Sequence, residues 1–436
     1  ATAITGASEI AVLTNTTQTT ISNLAAGVAV GVGHKGTDGD TNGILVLSLA
    51  DATGSADALS VNFNDTDGGE TSTVTLKGTA IEDYTFNFNT TDTAIANTAL
   101  TVSALNASTI TVAGATADSG HTLTLGTLDT DTTSVNATGY KGRLTATAGS
   151  AIATTFTADS TNNHVLTGST KDDTFNLGEI GAADIDISGS THVSGDTLNA
   201  TLTATTTDFT AVNGIETLNL TVKASTATGF DDATEDNGLN LAKTINLLGG
   251  NSLSTFAIST GSIGGGNVTA FDASNFGGKL SGVLFAEGAL TGTLTVTGTA
   301  NTADVVSASY TGATPAHTVK MTAVETLNIA LADHATEVVL DMASVTGLTT
   351  INVTDASSEL LELKNLATGV TVDVTSTDAT ATQVEVKLAS VTGSADSQTF
   401  IVAAASADDN VKLITADIET LSISSDSDNQ VDLDLS

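Results

Sequence analysis

One short segment recurs along the chain and constrains the fold more than any other feature. Each copy places a glutamate after an aliphatic residue and before alternating apolar positions. The copies are Gly214–Leu220 (GIETLNL), Ala323–Ile329 (AVETLNI), Asp417–Ile423 (DIETLSI) and a divergent one, Ala80–Phe86 (AIEDYTF). Such recurrence is typical of a chain built from similar structural units, so we expect a tandem array and not a single irregular globule.

Two further elements keep their order and spacing relative to this glutamate. A Thr-Ile-Asn or Thr-Ile-Thr segment begins about 25 to 28 residues later, at Thr244, Thr350 and Thr109. A longer element is shared by Ala270–Leu280 and Ser134–Leu144. Three elements with a common order and spacing are hard to attribute to chance, so they support a repeat.

The register of the repeat predicts how the chain is divided. Ser22–Val28 (SNLAAGV) resembles Lys364–Val370 (KNLATGV), which places the first residues in the second half of a repeat. We expect that Ala1 is not the natural start and that a cell-attachment segment precedes it. The predicted divisions are a partial repeat at 1–35, repeat units at 36–165, 166–297 (with a degenerate RTX-like start) and 298–392, and a partial terminal repeat at 393–436.

Apolar and polar residues alternate with a period of two, as in Gly369–Val374 (GVTVDV) and Gln383–Leu388 (QVEVKL). This alternation predicts half-buried strands, and the turns between them are rich in Asp, Asn, Ser and Gly. The predicted fold class is therefore all-β, with tandem β-solenoid-like repeat units. A string of β-sandwich domains is the alternative, because short strands at regular spacing suit both architectures.

Composition excludes several classes of function. The chain has 49 Asp and Glu against 12 Lys and Arg, a net charge of −37, and no Cys. A nucleic-acid-binding protein needs a basic surface, and a disulfide scaffold or a thiolate zinc site needs cysteine. The apolar runs are too short for a membrane-spanning helix. We therefore expect neither a nucleic-acid partner nor a membrane span.

The acidic balance also predicts a cofactor. Uncompensated carboxylates repel one another, and Ca²⁺ is the natural counter-ion because its ligands are carboxylate and carbonyl oxygens. We therefore expect Ca²⁺ to stabilise the folded chain. The alternative is that acidity alone keeps a secreted or halophilic protein soluble.

The recurring glutamate needs a physical explanation of its own. Glu216 shares a strand face with Leu218 and Leu220, so its carboxylate opens an apolar stripe. A buried charge without a partner costs on the order of several kcal/mol. The carboxylate therefore either accepts backbone N–H groups of a turn or ligates Ca²⁺, and the sequence leaves both open.

The stretch Val165–Gly178 (VLTGSTKDDTFNLG) resembles a degenerate calcium-binding nonapeptide of the RTX type. It precedes Ser194–Leu198 (SGDTL) and the GIETLNL segment, and Phe271–Ser274 (FDAS) follows. This block resembles the repeat blocks of RTX-type surface-layer proteins of Gram-negative bacteria, over most of residues 160–436 and more faintly over 1–160. The resemblance implies a type I-secreted, calcium-ordered protein that tiles the cell surface.

The candidate calcium ligands come from these motifs and from acidic clusters with Asp-x-Asp or denser spacing. Solvated loops are the alternative explanation for the clusters. The candidates are Asp172, Asp173, Asp184, Asp186, Asp196, Glu216, Asp231, Asp232, Glu235, Asp236 and Asp272.

No motif of catalysis is present, so we do not expect an enzyme. The six His are far apart with no HExxH pair, there is no GxSxG, and we expect the His at the surface. The first hypothesis is a structural protein that self-assembles into a calcium-stabilised surface layer. The alternatives are an adhesin stalk or extracellular filament subunit, and the non-catalytic repeat region of an RTX-type secreted protein. The expected partners are further copies of the chain and, through an upstream region, cell-surface polysaccharide.

Overall fold

The computed structural model is an all-β structure in which parallel strands stack as a β-solenoid. None of the residues it describes is helical. The described residues are 7–12, 18–34, 41–65, 71–78, 80–88, 97–104, 107–114, 122–158, 164–180, 186–189, 195–203, 212–223, 227–231, 242–263, 268–285, 294–310, 317–331, 337–355, 360–376, 382–392, 395–404, 410–416, 418–425 and 430–435.

The strands are short and follow one another at close intervals. They are β1 (Glu9–Val12), β2 (Thr19–Leu24), β3 (Ala29–His34), β4 (Thr41–Leu49), β5 (Ala58–Asp65), β6 (Thr71–Gly78), β7 (Asp83–Phe88), β8 (Asn97–Ala104), β9 (Thr109–Gly114), β10 (Thr122–Thr127), β11 (Ser134–Tyr140), β12 (Arg143–Thr147), β13 (Thr155–Ala158), β14 (Val165–Thr167), β15 (Thr174–Ile180), β16 (Asp186–Ser188), β17 (Thr197–Leu202), β18 (Val212–Asn213), β19 (Thr217–Val222), β20 (Ala227–Asp231), β21 (Thr244–Gly249), β22 (Thr255–Ile263), β23 (Ala270–Phe276), β24 (Lys279–Phe285), β25 (Thr295–Thr297), β26 (Val305–Tyr310), β27 (His317–Thr322), β28 (Thr326–Leu331), β29 (Val338–Thr346), β30 (Thr350–Asp355), β31 (Leu360–Leu366), β32 (Thr371–Ser376), β33 (Thr382–Leu388), β34 (Ser397–Ala404), β35 (Asn410–Thr415), β36 (Thr420–Ser425) and β37 (Gln430–Asp434).

The chain forms two compact units. The first comprises Ala1–Leu202 and Asp208–Leu218, and the second comprises Thr203–Thr207 and Asn219–Ser436. In the first unit the odd-numbered strands β1 to β17 pair in order in one parallel sheet, and β2 to β18 pair in a second one. The second unit repeats the plan with β21 to β37 and with β20 to β36. Each coil therefore contributes one strand to each sheet.

This topology confirms the solenoid prediction, and the β-sandwich alternative is wrong. Every pairing described in the two units is parallel, whereas a sandwich of the immunoglobulin type is built from antiparallel strands. The two example strands predicted from alternation are β32 and β33. The predicted division into five segments is not tested by the fold and stays a prediction.

Period-two alternation builds the core of each unit. In β13, Phe156 and Ala158 are buried while Thr155 and Thr157 are half-exposed. Because the next coil is in register, Phe156 stacks on Phe175, with ring centroids 5.5 Å apart and planes at 9°. Burial of apolar area is worth about 25 cal/mol per Å², so a coil with few large side chains depends on its neighbours for a closed core.

The outward positions form ladders of their own. Asparagines in register donate Nδ2–H to the Oδ1 of the preceding coil, at 2.7 to 2.9 Å. These pairs are Asn87 to Asn62, Asn199 to Asn176, Asn246 to Asn219 and Asn352 to Asn328. These bonds link the outward side chains of successive coils.

Backbone conformation shows that the sequence repeats are structural repeats. In the two similar segments, Asn23 and Asn365 have φ of 60° and 56°, and Gly27 and Gly369 have φ of 80° and 81°. The same holds two residues before the recurring glutamate, where Ala80, Gly214 and Ala323 are left-handed with φ of 55°, 66° and 54°.

Candidate functional site

The recurring glutamate closes a corner between two coils. In all four copies its Oε2 accepts the backbone N–H of an aspartate one coil earlier, at 2.9 to 3.0 Å. The pairs are Glu82 with Asp57, Glu216 with Asp196, Glu325 with Asp304, and Glu419 with Asp396.

The backbone at these corners explains why a carboxylate is needed. The carbonyl of Asp196 accepts the N–H groups of Glu216 and Thr217 at 3.1 and 3.0 Å, so one acceptor serves two donors of the next coil. The N–H of Asp196 then has no carbonyl partner in the strand ladder, and the Glu216 side chain supplies the acceptor. An unsatisfied buried N–H costs about 1–3 kcal/mol, which the charged acceptor offsets. In all four copies the recurring glutamate therefore accepts a backbone N–H group, as one of the two explanations from the sequence requires.

In the first unit the corner extends into a column of carboxylates. Asp173 Oδ1 accepts the N–H of Thr154 at 2.6 Å, and Asp196 Oδ1 accepts the N–H of Asp173 at 2.6 Å. Glu216 Oε2 accepts the N–H of Asp196 at 3.0 Å. Each of these residues directly precedes a strand of the same sheet, so the parallel register stacks three acidic side chains on successive coils.

Asp196 is the unusual member of this column. Its side chain has 0 % exposure, and its Oδ2 has no hydrogen-bond partner among the described residues. The matching oxygen of Asp173 accepts the N–H of Ser169. Burial raises the pKa of Asp196 to about 7, the N–H of Asp173 opposes this, and the charges of Asp173, Glu216 and Asp172 raise it further. A cation or a proton bound at Oδ2 would therefore stabilise the buried Asp196 carboxylate.

Asp172 stands beside Asp196, on the solvent side. Its carboxylate lies against Gly195, in space that a β-carbon would fill, and Gly195 has a φ of 103°. Asp172 itself is exposed. The glycine therefore leaves room for the exposed Asp172 carboxylate directly beside the backbone of Asp196.

The structure brings together four of the predicted site residues. Asp172, Asp173, Asp196 and Glu216 form the column and its rim. Asp186 begins β16 and is exposed, with its N–H donated to the carbonyl of His164.

Of the remaining candidates, the structure describes the side chain of Asp272 alone. Asp272 lies in β23 of the second unit, where its Oδ1 accepts the N–H of Ser274 at 2.8 Å in a local turn. Asp231 ends β20, and its side chain lies outside the described residues. Asp184, Asp232, Glu235 and Asp236 also lie outside the described residues.

Three partners of the recurring glutamate were not predicted from the sequence: Asp57, Asp304 and Asp396. The missed signal is a Gly in a Thr-Gly or Ser-Gly pair that precedes each aspartate, as at Gly54, Gly189 and Gly298. Gly298 is required because a β-carbon there would collide with the carbonyl oxygen of Ala323 in the next coil. This glycine, the aspartate and the glutamate together make one corner motif, split across two coils.

The surface prediction for histidine is wrong at two positions. His164 and His317 are buried, with 1 % and 5 % exposure. His164 Nδ1 accepts the N–H of Leu144 at 3.0 Å, so the imidazole fills a corner as the carboxylates do. His317 packs against the ring of Tyr310, and burial lowers the pKa of His317.

The described side chains do not by themselves complete a metal site. Within the described ranges, no group of three or more His, Cys, Asp or Glu side chains has the geometry of one. Asp172 supplies an exposed carboxylate at Gly195, and Asp196 supplies a buried one whose Oδ2 lies against Gly189 and has no hydrogen-bond partner among the described residues. Ca²⁺ takes six to eight oxygen ligands, so carbonyls, waters or residues outside the described ranges would have to supply the remainder.

No protein-family model, no curated protein and no solved structure matches this chain. The resemblance to RTX-type surface-layer proteins therefore stays a prediction. In the described part of the chain, no helix has the length and apolarity needed to cross a bilayer.

Proposed function

We propose that this chain is a building block of an extracellular surface array, assembled from copies of itself and stabilised by Ca²⁺. It acts by binding and assembly, not by catalysis. The observation that carries the proposal is the stacked carboxylate column in a chain of net charge −37, in which a buried oxygen of Asp196 has no hydrogen-bond partner among the described residues.

The electrostatics of the column favour a divalent cation. Asp173, Asp196 and Glu216 lie on consecutive coils, and the charges of Asp173 and Glu216 raise the pKa of Asp196 between them. A monovalent salt screens exposed charges over about 8–10 Å but does little for buried ones. A Ca²⁺ ion beside Asp196 would neutralise the repulsion directly and would link adjacent coils.

The proposed ligands are Asp172 and Asp196. The carboxylate of Asp172 lies against Gly195 on the solvent side, and Oδ2 of Asp196 lies against Gly189 in the core. The two are close enough for the charge of Asp172 to raise the pKa of Asp196. A cation bound to folded chain and not to unfolded chain adds about 2.7 kcal/mol of stability at a free concentration a hundred times its Kd. Folding would then be coupled to the calcium of the extracellular medium, as the resemblance to type I-secreted surface-layer proteins implies.

Isothermal titration calorimetry on the full chain tests the metal site. Asp196→Asn keeps an Oδ1 acceptor for the N–H of Asp173, so we expect it to fold but to lose one calcium site. Asp172→Asn should weaken the same site at least tenfold. Asp272→Asn, a matched control in the second unit, should leave it unchanged. Equal calcium binding by the wild type and both column variants would contradict the assignment.

Electron microscopy of the wild type in Ca²⁺ tests the assembly. Ordered two-dimensional sheets are expected, and isolated filaments would instead favour the stalk or filament alternative.

A further inference from the structure

The two sheets of the second unit differ sharply in charge. On the sheet formed by β27 to β37, outward side chains include Lys387, which pairs with Glu362 at 2.7 Å and with Glu385 at 3.1 Å. Lys412 lies 3.6 Å from Asp434 on the same sheet. That sheet therefore presents alternating positive and negative groups.

The opposite sheet is nearly free of charge from β26 to β36. Its outward positions carry Ser, Thr and Asn with a few apolar residues, and Asp373 is the one charged side chain among these described positions. We call the outward side of β26, β28, β30, β32, β34 and β36 the hydroxyl face. A neutral face of this size stands out in a chain with 49 acidic residues.

The hydroxyl face is also regular. Each of its five strand pairings runs over six residues without a register shift, whereas the sheet of β27 to β37 has shifts at β27–β29 and β31–β33. Asn352 donates to Asn328 at 2.8 Å, and Asn328 donates to Ser307 at 3.2 Å. The polar side chains therefore have fixed positions, on strands about 4.8 Å apart.

We propose that the hydroxyl face is the surface through which one copy of this chain packs against the same face of a second copy. Two molecules that each carry a charge of −37 repel one another wherever carboxylates face each other, so close approach is least opposed on this face. Hydroxyls and amides both donate and accept hydrogen bonds, so the face is complementary to itself. Ile401, 40 % exposed, adds apolar area to it.

The area sets the strength of the contact. Six strands of six residues span roughly 500 Å² on each copy, from the ordinary spacings of a sheet. A stable interface buries about 800 Å² per partner, so a single contact of this kind is weak. Repetition across an array makes weak contacts effective. The inference therefore rests on the proposed self-assembly and names the face that mediates it.

A charge placed on the face tests the inference. Thr354 is exposed in the central strand β30, and its in-register neighbours Ala330 and Thr375 are uncharged. Thr354→Glu should fold normally by circular dichroism and should lower assembly at least tenfold in light scattering. The control is Thr322→Glu, an exposed threonine on the opposite sheet with the uncharged neighbours Thr297 and Thr346, which should assemble like the wild type.

Single cysteines give a second measurement, because the chain has no Cys. A short thiol cross-linker should join copies of Thr354→Cys in the assembled state and should fail to join copies of Thr322→Cys.

The outcomes separate the two proposals. A wild type that assembles while both glutamate variants behave alike, or while Thr354→Cys does not cross-link, overturns the hydroxyl-face inference alone. Assembly that requires added polysaccharide would also overturn it, because the occupant would then be a glycan. A wild type that stays monomeric in Ca²⁺ and in high salt overturns both the inference and the proposed function.

Discussion

Replacing Glu325 with alanine is predicted to open one corner of the solenoid. Its Oε2 accepts the N–H of Asp304 at 2.9 Å, and Asp304 is fully buried. A hydrogen bond to a charged acceptor is worth about 1.5–3 kcal/mol, and its loss leaves a buried donor unsatisfied. Local opening at Asp304 should therefore become easier by about 10- to 100-fold, while Glu325→Gln, which keeps a neutral acceptor, should cost about 1 kcal/mol.

Hydrogen–deuterium exchange of the peptide that contains Asp304 measures this change. Exchange reports local opening at the corner itself, whereas a global unfolding curve averages over the whole array. The matched control is Glu337→Ala, an exposed glutamate in the same unit, which should leave exchange at Asp304 unchanged. Unaltered protection in Glu325→Ala, or equal loss of protection in Glu337→Ala, would refute the corner explanation.

Three further predictions concern strain, protonation and packing. In urea denaturation, Ala323→Gly should raise the free energy of unfolding by about 0.5–1 kcal/mol and Gly214→Ala should lower it by about 1 kcal/mol, because both positions are left-handed. A loss of stability in Ala323→Gly together with a gain in Gly214→Ala would contradict the strain argument. In EGTA, the raised pKa of Asp196 makes the stability of the chain depend on pH. The contribution of Asp196 is full below about pH 4 and is lost as the pH rises to about 7, by at most about 4 kcal/mol. Denaturation curves should show a smaller loss of stability for Asp196→Asn, and parallel pH profiles of variant and wild type would contradict this. Phe175→Ala should lower the free energy of unfolding by about 3–5 kcal/mol, since the ring is fully buried on Phe156, and a loss below 1 kcal/mol in thermal or urea denaturation would argue against the stack.

The strands were predictable because alternation is a local property. Thr371–Ser376 and Thr382–Leu388 carry their inward and outward residues in strict alternation, so no tertiary information was needed to find β32 and β33. The choice of a solenoid required the repeat as well, since alternation alone suits a sandwich equally.

The partner of each glutamate was not predictable in the same way. Glu82 bonds a residue 25 positions earlier and Glu216 one 20 positions earlier, because coil length varies with the turns. Spacing alone therefore does not select Asp57 or Asp196 from the many aspartates. Gly189, which precedes Asp196, would have done so, but only once its close contact with the carbonyl of Gly214 in the next coil is known.

The alternation of apolar and polar residues also does not predict which side chains in the turns are exposed. Asp172 and Asp173 are adjacent and chemically identical, yet the first is exposed and the second is buried as a backbone acceptor. Left-handed turns at Ala80 and Ala323 give no signal in composition, since alanine rarely adopts that conformation. Burial of His164 likewise depends on a corner that the next coil completes.

Chelation of the purified full chain tests calcium-dependent assembly most directly. Circular dichroism and particle size would be followed while EGTA is added and Ca²⁺ is then restored. Loss of assembled particles with weakened β signal, both regained on adding Ca²⁺, is the predicted result. Unchanged secondary structure and unchanged particle size throughout would contradict the account.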